Sequence, residues 1–191
     1  MQKAVPKGVD AMAAILKLPE GKLDSILAEA AQGEVVSAAN FNSPDQIVIA
    51  GHAGAVSRAA NLAKAAGAKR AVMLPVSAPF HCPLMKPAEE QMKAELDACE
   101  FRDLQVPLIN NVAARVVRTG PEARQGLVHQ ISGAVRWAQS MRAMIVLGVT
   151  DAIEAGPGSV LSGLMKAIDP AVQMKKFGEA SDLEKLDAAA V

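Results

Sequence analysis

No helix and no central strand can run through residues 74–85, Leu-Pro-Val-Ser-Ala-Pro-Phe-His-Cys-Pro-Leu-Met. Pro75, Pro79 and Pro83 each fix φ and withhold a backbone donor, so regular structure stops on both sides of His81 and Cys82. The apolar run just before, Ala71–Val76, is expected to be a buried strand, and a rigid irregular loop is expected after it. Rigid loops at strand ends are where scaffolds commonly carry reactive side chains. A histidine ordinarily titrates near neutral pH, so His81 is read either as a proton-transfer group or as a ring packed beneath the loop.

Upstream of that break the patterning alternates. Ala11–Leu16 reads as a strand, and Glu20–Gln32 as a helix with Leu23, Ile26, Leu27 and Ala30 on one face and a stop at Gly33. Val35–Asn40 and Gln46–Ala50 read as strands about the turn Asn42-Ser43-Pro44-Asp45, followed by an alanine-rich helix from Gly54 to Ala66. With Ala71–Val76 the order is β-α-β-β-α-β, the ferredoxin-like or split βαβ arrangement. Residues 1–76 are accordingly expected to form a small subdomain and residues 77–191 part of a larger one.

Downstream, helices are expected over Lys86–Cys99, Pro121–Ile131, Val135–Leu147, Ser159–Ile168 and Asp182–Ala189. Strands are expected over Val106–Val112, Asp151–Ala155 and Val172–Phe177. Alternating strands and helices point to a parallel sheet covered by helices. The fold class is α/β, and this half resembles an incomplete doubly wound sheet.

Composition excludes several functions. Lys plus Arg and Asp plus Glu are equal at 20 each, which gives no electrostatic reason to expect nucleic acid or an anionic membrane as partner. There is no Tyr and a single Trp, a poor supply of stacking platforms for single-stranded nucleic acid. No apolar run reaches the length of a bilayer span, and Met1–Pro6 lacks the apolar core of a secretion signal, so a soluble cytoplasmic protein is expected. Cys82 and Cys99 lack the paired spacing of a zinc site and suggest no disulfide framework.

Local motifs are sparse. No Gly-x-Ser-x-Gly turn occurs, so Ser43 and Ser77 have no nucleophile signature. Cys82 beside His81, with Asn110 or Asn111, would make a Cys-His-Asn set, against the plainer reading of a small buried thiol. Gly156-Pro157-Gly158 ahead of a helix is either an anion-binding turn or a tight strand-to-helix connection. His52 reads as a surface or capping residue, His129 as lying on a polar helix face, and Trp137 as part of an apolar stripe with Val135 and Met141.

Several segments together resemble the malonyl-CoA:acyl carrier protein transacylase family of fatty acid synthesis. They are Val5–Gly8, Ala11–Ala14, Asn40–Gly51, Pro75–Met85, Asn110–Val112, Val135–Trp137 and Glu154–Gly158. The resemblance implies malonyl transfer from coenzyme A to the phosphopantetheine thiol of acyl carrier protein by a serine–histidine ping-pong mechanism. It implies no cofactor beyond those substrates, no nucleic-acid or membrane partner, and a monomer for the full-length form. It makes His81 the general acid and base, and Arg136 the donor of a backbone carbonyl that orients the His81 ring. The family's nucleophile turn and malonate-binding arginine would precede Met1, so this chain is expected to be a C-terminal portion, inactive alone. The alternative is a non-enzymatic module that binds a carrier protein or a small ligand.

Overall fold

The computed structural model describes residues 9–76 and 78–182. The chain divides after Ser140 into two compact units.

The first unit is built on a four-stranded sheet of β1 (Asp10–Leu16), β2 (Val36–Ser43), β3 (Gln46–His52) and β4 (Arg70–Met73). Its order is β2-β3-β1-β4 and every neighbouring pair is antiparallel. Helix α1 (Leu23–Ala31) follows β1 and helix α2 (Ala53–Ala65) follows β3. Side chains alternate along each strand, so β1 has two different faces. Ala13 and Ile15 join Ile49 of β3 against Ile26 and Ala30 of α1 and Val56, Ala59, Ala60 and Ala63 of α2. The alanines of α2 bring that helix backbone close to the sheet.

Met12 and Ala14 lie on the opposite face with Val48 and Ala50, and the proline-framed segment covers them through Leu74, Phe80, Cys82 and Leu84. The sheet therefore fixes the loop that carries His81. The strand expected over Ala71–Val76 is present but is not buried. It spans Arg70–Met73 at the edge of the sheet, with Val72 and Met73 40% and 48% exposed. An edge strand has one neighbour and a bare outer side.

Beyond the loop, a short 3-10 turn, Pro83–Met85, runs into α3 (Lys86–Asp97), which packs on α4 (Gly120–Gln130). Thr119 caps α4 with its hydroxyl, accepting from the Glu122 amide at 3.4 Å and donating to the Glu122 carboxylate at 3.0 Å. The strand expected over Val106–Val112 shrinks to β5 (Leu108–Ile109), which pairs antiparallel with β6 (Val116–Val117) and joins no parallel sheet. The cause is local: the Asn110 side chain and carbonyl accept from the Ala113 and Ala114 amides, each at 3.0 Å, and turn the chain back.

Helix α5 (Trp137–Val146) crosses the division between the units. In the second unit β7 (Asp151–Ala155) and β8 (Gln173–Phe177) pair in parallel, connected by α6 (Val160–Ile168). Among the described residues Met141, Met165 and Val172 supply its buried apolar side chains. The helix expected over Asp182–Ala189 lies outside the described residues except for Asp182, which closes a 3-10 turn from Ala180.

Candidate active site

Two cores grip the loop around position 81 from either side. Cys82 is fully buried with Phe80 and Leu84 against the sheet, and Met85 is fully buried with Ala88 and Ile131. Pro79 is also fully buried. His81 sits between these anchors with φ +60°, a left-handed conformation that side-chain-bearing residues seldom adopt. A strained residue held by its packed neighbours is a recurrent feature of functional loops.

The ring is half-buried on the rim of an open cleft of about 540 Å³, lined by Phe80, Met92, Leu96, Leu127, Gln130 and Ile131. Its Nδ1 lies 2.8 Å from the Gln130 backbone oxygen. A carbonyl oxygen can only accept, so this contact places the proton of the neutral ring on Nδ1. The lone pair is thereby left on Nε2. The Gln130 side-chain amide lies farther from the same nitrogen, at 3.4 Å, and donates to the Gly133 carbonyl at 3.2 Å.

The sequence reading assigned the orienting carbonyl to Arg136, and the structure gives that contact to Gln130. The Arg136 oxygen instead accepts from the Ser140 amide at 2.8 Å, in the first turn of α5, so its lone pairs serve the helix. Gln130 closes α4, where the last carbonyls have no partner four residues on and are free to meet a side chain. Only the helix end marks such a position in sequence, because a backbone atom does the work.

A second residue the sequence reading passed over is Glu89, a buried acid in the first turn of α3. It accepts from Lys86 Nζ at 2.5 Å and from the Ser132 hydroxyl. Burial pushes its carboxyl up, but the Lys86 and Ser132 hydrogen bonds and the nearby His129 outweigh that and hold it below the usual range.

The remaining candidates have structural duties. Cys82 donates its thiol to the Pro79 carbonyl at 3.1 Å, and burial pushes that thiol up to about 11. A thiol so raised is a poor nucleophile at neutral pH. Alkylation of the folded chain at pH 8 is expected to label exposed Cys99 and spare Cys82 until denaturant is added, as peptide mass mapping would show. Because folding raises the Cys82 pKa, the stability it confers is whole below about pH 9 and is lost as pH rises toward 11.

Asn110 is spent on its turn, and the Asn111 carbonyl accepts from the Arg136 amide at 2.8 Å. The Ser43 hydroxyl accepts from the Asp45 amide at 3.3 Å in the β2–β3 turn, and Ser77 lies outside the described residues. His52 Nδ1 accepts from the Val35 amide at 2.8 Å, and His129 is exposed near the end of α4. Among the described residues no group of three or more His, Cys, Asp or Glu side chains is placed to hold a metal ion. No helix among them is long and apolar enough to cross a membrane.

In the second unit the Gly156-Pro157-Gly158 turn proves to be a connection with its own anion. Glu154 accepts from the Leu161 and Ser162 amides at 3.0 and 2.9 Å and from the Ser162 hydroxyl at 2.5 Å, filling the start of α6. Those bonds, led by the Ser162 hydroxyl, hold the Glu154 carboxyl below its usual range despite burial.

No family model matches the chain. Among curated proteins it is 47% identical over 181 residues to the malonyl CoA-acyl carrier protein transacylase of Escherichia coli strain K12, across 95% of this chain. Over this span the chain is strongly homologous to the malonyl CoA-acyl carrier protein transacylases. The Bacillus subtilis transacylase is 46% identical over 190 residues, 99% of this chain. The chain spans 59% of the length of each of these two transacylases. Among solved structures, an acyl carrier protein S-malonyltransferase from Vibrio cholerae superposes with a TM-score of 0.94 at 45% identity, covering 97% of this chain and 61% of that one. A malonyl-transacylase solved in complex with a type II PKS acyl carrier protein superposes with a TM-score of 0.92 at 42% identity, covering 96% and 60%.

Proposed function

We propose that this chain supplies the general base of malonyl transfer from coenzyme A to acyl carrier protein. The observation that carries the reading is the His81 ring, held through Nδ1 by the Gln130 carbonyl at the edge of an open cleft. The 191 residues contain no Gly-His-Ser-x-Gly turn, so in this reading the nucleophilic hydroxyl comes from the part of the transacylases that the chain does not match.

In the first half-reaction Nε2 takes the serine proton as the oxygen attacks the malonyl thioester carbon. The carbon–sulfur bond then breaks, and the coenzyme A thiolate leaves with that proton. In the second, Nε2 takes the proton of the carrier's phosphopantetheine thiol, whose sulfur attacks the serine ester. The serine oxygen departs and recovers the proton. The Gln130 carbonyl stabilises the imidazolium at both stages, the task a carboxylate performs in a serine triad.

In architectural terms, the antiparallel β2-β3-β1-β4 sheet with helices after β1 and β3 supports a ferredoxin-like subdomain over residues 1–76. Residues 77–191 would form part of a hydrolase-like domain. The reading further takes the protein as cytoplasmic, monomeric at full length, and without a cofactor. The test is to offer labelled malonyl-CoA to the chain alone and to the chain joined to the transacylase segment it does not match. Covalent labelling and transfer are expected of the joined protein only. Labelling of the chain alone would overturn the reading, and carrier-protein binding without any transfer by the joined protein would favour a binding module.

A further inference from the structure

The contact between His81 and Gln130 depends on where the segment after α4 is held, and an apolar contact and a hydrogen bond to α3 hold it. Ile131 is buried against Ala88, with Met85 and Phe80 completing the cluster. The next residue, Ser132, donates its hydroxyl to the buried carboxylate of Glu89. Gln130 immediately precedes this pair of anchors. Apolar packing of Ile131 is non-directional and permits rotation of the backbone, whereas a hydrogen bond to a fixed carboxylate does not. The Glu89 side chain is itself fixed by Lys86, whose Nζ lies 2.5 Å from Oε1.

We propose that Glu89 is a positioning residue for His81. By anchoring Ser132, it sets the direction of the Gln130 carbonyl and hence the tautomer of the ring. Glu89 is not among the residues that line the cleft, and in this proposal it acts through the segment 130–132. The inference rests on the reading of His81 as the base, and it assigns a specific duty to a buried charge that also pairs with Lys86 in the first turn of α3. The groups facing that charge are Lys86, Ser132 and His129.

The test is the tautomer of His81, read from long-range proton–nitrogen correlations of the imidazole in the full chain at a pH where the ring is neutral. Glu89→Ala is expected to convert a ring protonated at Nδ1 into a mixture in which Nε2–H predominates, the form histidine ordinarily prefers. Ser132→Ala is expected to do the same without altering α3. Glu89→Gln, which can still accept from Ser132, is expected to keep Nδ1–H. A mixture in the unaltered chain would contradict the reading of His81 itself. An Nδ1–H ring in the unaltered chain that persists in Glu89→Ala, or in Ser132→Ala should Glu89→Ala not fold, would overturn this inference alone.

Discussion

Replacing His81 by alanine is expected to lower malonyl transfer about a thousandfold in the joined protein, within the range that a positioned acid–base group supplies. The loss follows from geometry. Without the ring, no titratable side chain remains among the described residues that line the cleft, and the neighbouring Cys82 thiol is buried and pushed up to about 11. Rates of carrier-protein labelling under saturating malonyl-CoA measure the effect. Cys82→Ala is the control, expected to keep transfer within a few-fold while lowering stability, since that side chain fills space beneath the loop.

The largest expected loss of stability belongs to Gly51→Ala. Gly51 pairs with Val36 across β2 and β3, at φ +158°, and a methyl group there would lie 2.0 Å from the Val35 carbonyl oxygen and 2.7 Å from the Val36 Cα. Both obstacles are backbone. The same carbonyl accepts from the His52 amide at 2.8 Å, so relief requires opening the β2–β3 ladder. A loss of about 3 kcal/mol or more is expected in urea denaturation, a large share of the stability of an ordinary domain. Gly21→Ala is the contrast, because at φ +75° it has nothing within 4 Å and should lose only about 1 kcal/mol to backbone strain.

The elements around the sheet were readable because their patterns are local. The short apolar run Ala11–Leu16 marks a strand, and the helical spacing of Leu23, Ile26 and Leu27 states a period and a face. What patterning could not state was each element's neighbours. Ala71–Val76 looks as apolar as a central strand, yet its place at the sheet edge leaves Val72 and Met73 partly in solvent. Val106–Val112 has strand composition, but the side chain of Asn110 ends it early.

The site shows the same limit. His81 stood out because three prolines isolate it, and the structure does place it beside a cleft. Its carbonyl partner was assigned to Arg136 by resemblance, six residues beyond the one that makes the contact. A backbone acceptor leaves no trace in residue type, so the helix end at Gln130 was the only available signal. Nothing in residue type marks Glu89 among the acids of the Lys86–Cys99 helix, and its burial becomes visible only once Ser132 is brought against it.

The most direct test of this account is the protonation site of the neutral His81 ring in the unaltered chain. The structure predicts a proton on Nδ1, engaged by the Gln130 carbonyl, and an unprotonated Nε2 at the cleft. A ring protonated at Nε2 would have no lone pair for a hydroxyl or thiol at that nitrogen, and the proposed proton transfer would be contradicted.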